Sequence, residues 1–246
     1  MKVVEQLSKM LSLFEDRRAI PALLTWPKFS LESFLVMSRL ARQGINPKTI
    51  LDIGANVGQF AVAASKMFPD ATVYSFEPDP DTVQVLRKNV SAMQRVKVRE
   101  LALGEEPGEV IFNVNKNTQV SSILPLHQGR LEAFPDATVT KTIKVPLDTL
   151  DRVFRNVEME APILLKIDVQ GYEDRVLKGA SDLLQRIDYI LFEASMKQLY
   201  EGERTFVEMI KLMEGFGYVL LRPLNYHVSP LNGEVIEMDV LFRRDA

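Results

Sequence analysis

The sequence contains no cysteine, so disulfide cross-links, thiolate metal sites and cysteine nucleophiles are all excluded. Only two histidines are available for acid–base work, His127 and His227. Long apolar runs are also missing, and no stretch approaches the ~20 residues that a membrane helix needs. The N-terminal segment MKVVEQLSKMLSLFEDRR breaks its apolar positions with Glu5, Lys9, Glu15 and Asp16, which leaves no secretory core. No long basic stretch offsets the net charge of −3, so a nucleic-acid partner has no footprint. These absences predict a soluble, cytoplasmic protein with no membrane or nucleic-acid partner.

What remains is an ordinary globular composition, 46% hydrophobic and 26% charged over 246 residues. A chain of this size hides roughly 70–75% of its unfolded surface, ample for a large core. Residues 3–14 set Val3, Val4, Leu7, Met10, Leu11 and Phe14 on one helical face. A second helix is expected from the N-cap candidate Ser30 to Gly44. From Thr49 the pattern alternates strand and helix: TILDIGA, VGQFAVAASKMF, TVYSFEP, DTVQVLRKNVSAM and VKVRELALG. Such alternation implies parallel strands with crossover helices, an α/β fold. GEVIFNVN and TVTKTIKVPLDTL interrupt it as two strands joined by a polar link, Lys116 to Ala137, in which no helix is expected. The rhythm resumes with APILLKIDVQG, YEDRVLKGASDLLQRI, DYILFEAS and RTFVEMIKLMEGFG, and YVLLRP and VIEMDVLFRR close the chain as a hairpin. The expected organisation is a helical extension over 1–47, forming a lid or a dimer contact, and one domain over 48–246 with an antiparallel insertion at about 105–148.

The bend after the first of these strands carries the first functional signal. A glycine-rich turn between strand and helix can present backbone N–H groups and a helix dipole to a ligand. The dinucleotide form needs G-x-G-x-x-G, its middle glycine admitting pyrophosphate. Here the run is Gly54, Ala55, Asn56, Val57, Gly58, with Asp52 just ahead of it. A carboxylate at that point repels pyrophosphate and suits a cationic ligand, such as one with sulfonium and ammonium groups. Glu77 ends the second strand, about where an α/β nucleotide site places the acceptor for ribose hydroxyls.

ILDIGANVGQFA, SFEPDP, LALG, LLKIDVQGYEDRVLKGA and YILFEAS, in this order and spacing, resemble the FkbM family of S-adenosylmethionine-dependent methyltransferases over roughly residues 48 to 225. The resemblance implies the class I, Rossmann-like methyltransferase fold: a seven-stranded, mostly parallel sheet with helices on both faces and a final antiparallel hairpin. It also implies O-methylation with S-adenosyl-L-methionine as cofactor. By position it assigns Asp52, Gly54, Ala55, Asn56 and Gly58 to the methionine part and Glu77 with Pro78 to the ribose side. Leu101 to Gly104, including Ala102 and Leu103, would lie beside adenine. An acidic adenine contact there would need Glu100 or Glu105 to turn inward. Ser122, beside Ser121 in the polar link, is a further candidate cofactor or substrate contact.

Catalytic candidates end the next two strands. Lys166 and Asp168 are two apart and share one strand face. After an apolar run both are expensive to bury unpaired. One reading is an ion pair, Lys166–Asp168 or Lys166–Glu193, bracing adjacent strands. The other, favoured by the family motif, sets Asp168 beside the transferring methyl group, with Lys166 and Glu193 on the same rim. His227 follows a late strand within reach of an acceptor, and His127 lies in the polar link. The carboxylates are too scattered to predict a metal. The reading is a methyltransferase acting on a hydroxyl of a small molecule, sugar or glycan. An NAD-dependent oxidoreductase and a non-catalytic binding module are the alternatives.

Overall fold

A computed structural model describes residues 16–133, 137–229 and 232–245. The helix expected over 3–14 lies outside these. Two N-terminal helices, α1 (Ala19–Thr25) and α2 (Leu31–Arg42), precede β1 (Thr49–Ile53), α3 (Gln59–Met67), β2 (Thr72–Glu77), α4 (Pro80–Asn89) and β3 (Val96–Glu100). Then follow β4 (Ala102–Leu103), β5 (Gly108–Asn115), α5 (Gln128–Ala133), β6 (Val139–Asp148) and α6 (Leu150–Phe154). The chain closes with β7 (Ile163–Ile167), α7 (Glu173–Lys178), β8 (Tyr189–Ser195), α8 (Phe206–Gly215), β9 (Tyr218–Val228) and β10 (Val235–Arg244).

Seven strands form one sheet in the order β3-β2-β1-β7-β8-β10-β9. Only β10 runs against its neighbours, pairing antiparallel with both β8 and β9. The central strands β1 and β7 are buried along their whole length, as parallel strands covered on both faces must be. Their period of two sorts the core into two layers. Leu51, Ile53, Leu165 and Ile167 pack with Val176, Leu177 and Met213 on one face. Ile50 and Leu164 pack with Met37, Leu40 and Ala61 of α2 and α3 on the other. Helix starts follow local chemistry. Ser30 accepts a hydrogen bond from the Ser33 amide at 3.3 Å, and Asp79 caps α4 through Thr82, with Pro80 in the first turn.

The insertion differs from the sequence reading. Its strands do form an antiparallel pair, β5 with β6, in a separate sheet ordered β4-β6-β5. The link between them is not helix-free: a 3₁₀ turn at Thr118–Val120 and the short α5 interrupt it. Neither is long enough to display a 3.6-residue period. The segment expected as one helix after β7 likewise divides into α7 and a 3₁₀ turn, Leu183–Arg186.

Candidate functional site

The strand order reverses between β1 and β7, and ligands of open α/β sheets bind beyond the strand ends at such a switch point. The loops after β1 and β7 meet there at backbone contact. Gly54 has φ +77°, and a Cβ on it would stand 1.8 Å from the Asp168 carbonyl oxygen. Only glycine fits. Asn56 turns the chain at φ +47°, and its Oδ1 accepts from the Val57 amide at 2.6 Å and from the Thr118 hydroxyl at 3.1 Å.

Every backbone donor of this turn is already occupied. The Gly54 and Ala55 amides donate to the Phe76 carbonyl, the Asn56 amide to Glu77 Oε2 at 2.9 Å, and the Gly58 amide to the Ala55 carbonyl. With Val57 bound to Asn56, no amide from Gly54 to Gly58 is left to cradle a phosphate. The free donors expected there are absent, and the NAD reading loses its physical basis. Beside the turn, a cleft of about 300 Å³ is lined by Val57, Asp79, Thr82, Val85, Val114 and Thr118. Within it Asp79 Oδ1 makes no hydrogen bond, with Lys141 Nζ 3.9 Å away. A cleft walled by Val57, Val85 and Val114, with the unused Asp79 oxygen at its edge, fits a cationic, hydroxyl-bearing donor such as S-adenosylmethionine. A larger hollow of about 390 Å³ lies at the opposite, N-terminal end of the strands, lined by Lys48, Thr49, Thr72 and Lys97, away from the switch point.

Asp52 was expected to face the ligand, but it is fully buried. It lies across β1 from Ser75 and Lys166, on the sheet face covered by α3. Lys166 Nζ stands 3.1 Å from Asp52 Oδ1, and the Ser75 hydroxyl donates to Oδ2 at 3.1 Å. Burial pushes Asp52 upward, and the ammonium draws it back. Burial works to lower Lys166, yet Asp52 and Asp168 together hold it above its ordinary value. The ammonium also donates to the Gly54 carbonyl at 3.0 Å and stands 3.6 Å from Asp168 Oδ2. The structural ion pair is therefore Lys166–Asp52, with Asp168 as a second, half-exposed partner. Glu193 is not in it.

Glu77 sits at the strand end as expected, but almost buried, its oxygens accepting from the Asn56 and Asp79 amides at 2.9 and 3.1 Å. Burial raises it to about 7. Pro78 is buried beside it. Ala102 and Leu103 are buried in the second sheet, paired with Leu147 and Asp148. Neither acidic neighbour turns inward: Glu100 and Glu105 are exposed and face Arg87 and Lys178. Ser122 is 1% exposed and spent internally, donating to the Gln170 carbonyl at 2.6 Å and accepting from the Leu124 amide. In this structure it clasps the insertion to the loop after β7.

Asp168, just beyond the end of β7 at the switch point, has 41% of its side chain exposed. Gln170 Nε2 donates to Asp168 Oδ1 at 2.9 Å and to Glu193 Oε2 at 3.0 Å. His227 Nε2 stands 3.6 Å from Glu193 Oε1. Burial and the like charges of Glu237, Asp168 and Asp239 drive Glu193 well above the carboxylate range, and Asp239 rises to about 6. His127 stays out of the crevice, its Nδ1 accepting from the Gly129 amide. Asp239 and Tyr200 carried no motif signal. Gln170 lies within the motif LLKIDVQGYEDRVLKGA, two beyond Asp168, but was given no role there. Among the described residues no cluster of three metal-type side chains forms.

Comparison with known proteins agrees with this geometry. The family model for the methyltransferase FkbM domain matches residues 52–220. The chain is 28% identical to the 2-O-methyltransferase NoeI of Sinorhizobium fredii, over 79% of this chain and 78% of that protein. It is 28% identical to the hexuronic acid methyltransferase AglP of Haloferax volcanii, over 77% of each. A crystal structure assigned as an O-methyltransferase from Klebsiella pneumoniae shares the fold with a TM-score of 0.51 at 14% identity, covering 87% of this chain and 80% of that one. No helix of the described residues is long and apolar enough to cross a membrane. A donor-poor turn at the switch point and a family match running from the end of β1 to the start of β9 lead to one conclusion: the chain belongs to the FkbM methyltransferase family and takes its methyl group from S-adenosylmethionine.

Proposed function

We propose that this methyltransferase acts on a hydroxyl of a sugar, glycan or other small molecule, with Asp168 engaging that hydroxyl. The observation that carries the reading is an ionisable oxygen pair left open beyond the switch point and fixed from behind by Lys166 and Gln170. When bound, S-adenosylmethionine supplies an electrophilic methyl on a sulfonium. The chain's task is then to align and desolvate the attacking oxygen. Asp168 accepts the hydroxyl hydrogen bond and fixes the oxygen's approach. A positioned base of this kind contributes roughly 10²–10⁴. Lys166 braces Asp168 from behind at 3.6 Å, and Glu193 with His227 forms the far wall. Glu77, each of whose oxygens retains a lone pair, would hold the ribose hydroxyls, and the Gly54–Gly58 turn would border the methionine part. The names of NoeI and AglP support a sugar hydroxyl as acceptor.

The exposed Ile20, Leu23 and Leu24 of α1 support a lid or homodimer role for residues 1–47, which sedimentation velocity would test. The cysteine-free composition supports a cytoplasmic location. The deciding experiment incubates the protein and S-adenosylmethionine with neutral hexosides, uronic acids and alicyclic alcohols, and looks by mass spectrometry for one added methyl. Calorimetry with S-adenosylhomocysteine and NAD runs beside it. Binding of NAD alone, with no methylated product, would overturn the reading.

A further inference from the structure

Gln170 is held in a backbone conformation that L side chains rarely adopt, φ +58°, in the loop after β7. Its Nε2 donates to both Asp168 Oδ1 and Glu193 Oε2, at 2.9 and 3.0 Å. Its Oε1 accepts from the Tyr200 hydroxyl at 2.6 Å, and its carbonyl accepts from Ser122 at 2.6 Å. The amide can face only one way: two carboxylates on one side demand the NH₂, and the phenol on the other demands the oxygen. Tyr200 also lies 3.2 Å from the Val120 carbonyl. It has a single hydroxyl hydrogen, so the shorter contact to Gln170 takes it.

We propose that Gln170 is the positioning residue of this site: it holds Asp168 and Glu193 at a fixed spacing, and Tyr200 fixes the orientation of the holding amide. The inference rests on the reading that Asp168 engages the acceptor hydroxyl. Without the two N–H donors, the ionised form of Glu193 loses a stabilising hydrogen bond and Asp168 is no longer held toward the acceptor. Glu193 is also faced by His227 from β9, Glu237 and Asp239 from β10 and Arg130 from α5, so these groups bear on its titration too.

The test uses the full chain saturated with S-adenosylhomocysteine. Side-chain carboxyl ¹³C titrations are assigned through Asp168→Asn and Glu193→Gln. Gln170→Met keeps the length and removes the amide, and the Glu193 midpoint is expected to rise by about half to one pH unit. S-adenosylhomocysteine affinity should stay within about threefold, because the amide touches neither the glycine turn nor Glu77. Tyr200→Phe shifts the midpoint in the same direction by less, and the double variant matches Gln170→Met alone, since Tyr200 acts through Gln170. Unchanged midpoints, or additive shifts in the double variant, overturn the proposal. Should Gln170→Met fail to fold, Tyr200→Phe decides: an unmoved midpoint overturns it and a raised one supports it. For whichever panel compound gains a methyl, Gln170→Met should lower kcat about tenfold or more with an unchanged KM for S-adenosylmethionine. The two readings fail separately. If Asp168→Asn methylates normally, the hydroxyl-engaging role of Asp168 is wrong; if only the carboxyl midpoints stay fixed, the positioning role of Gln170 is wrong.

Discussion

A lysine that is only 8% exposed survives at the end of β7 because Asp52, Asp168 and the Gly54 carbonyl surround its ammonium. Asp52 has no comparable alternative, so Lys166→Met leaves a buried carboxylate unpaired. It should cost roughly 3–5 kcal/mol, read as a fall in melting temperature. Asp168→Asn behaves differently, because Lys166 keeps Asp52. Stability should change by less than about 1 kcal/mol, while single-turnover methyl transfer falls by roughly 10²-fold or more. A large melting loss with a normal rate would return Asp168 to the scaffold. Glu77→Ala removes the acceptor for the Asn56 and Asp79 amides as well as the proposed ribose contact. S-adenosylhomocysteine affinity should drop about thirtyfold or more by calorimetry, together with a stability loss of roughly 1–3 kcal/mol. The spacing of Glu77 from the glycine turn was legible in the sequence; its two amide partners were not, because they depend on how the turn folds back.

The central strands were readable because burial on both faces leaves apolar runs, as in Ile163–Leu165 ahead of Lys166. The hairpin strand Val235–Arg244 was readable for its β-branched and apolar spacing. The link between β5 and β6 was not: its contacts are made by isolated polar side chains and single backbone hydrogen bonds. Thr118 reaches Asn56, Ser122 reaches Gln170 and the Glu201 amide reaches the Pro125 carbonyl, so this strap spans the crevice from the glycine turn to the loop after β8. Ser122→Ala strands the Gln170 carbonyl and should cost roughly 1–2 kcal/mol, seen as faster amide exchange across 117–127. S-adenosylhomocysteine affinity should move by less than about threefold, as expected of a clasp that touches no ligand.

Across the molecule, buried carboxylates set the pH response. Burial and the neighbouring Glu203 raise Glu173 to about 8, burial raises Glu77 to about 7, and burial with Asp168 raises Asp239 to about 6. Each binds its proton more tightly folded than unfolded. Each therefore subtracts from stability as pH climbs from its unfolded value, near 4, through its folded one. Asp16 works in the opposite sense. The Arg18 guanidinium and Ser38 hydroxyl hold it well below its usual range, so its contribution is lost only as pH falls below about 4. The melting temperature should peak near pH 5 and decline toward pH 8.5. Glu173→Gln, which can still accept from the Val169 amide, should flatten that decline. One ammonium also joins the two proposed halves of the site, since Lys166 touches both the Gly54 turn, proposed to border the methyl donor, and Asp168, proposed to meet the acceptor. Occupancy of one half that draws the charge toward itself must alter affinity in the other, and by the same factor in either direction. Donor and acceptor are thus expected to bind with a measurable coupling free energy rather than independently, and Lys166 is where a double-ligand thermodynamic cycle should find it.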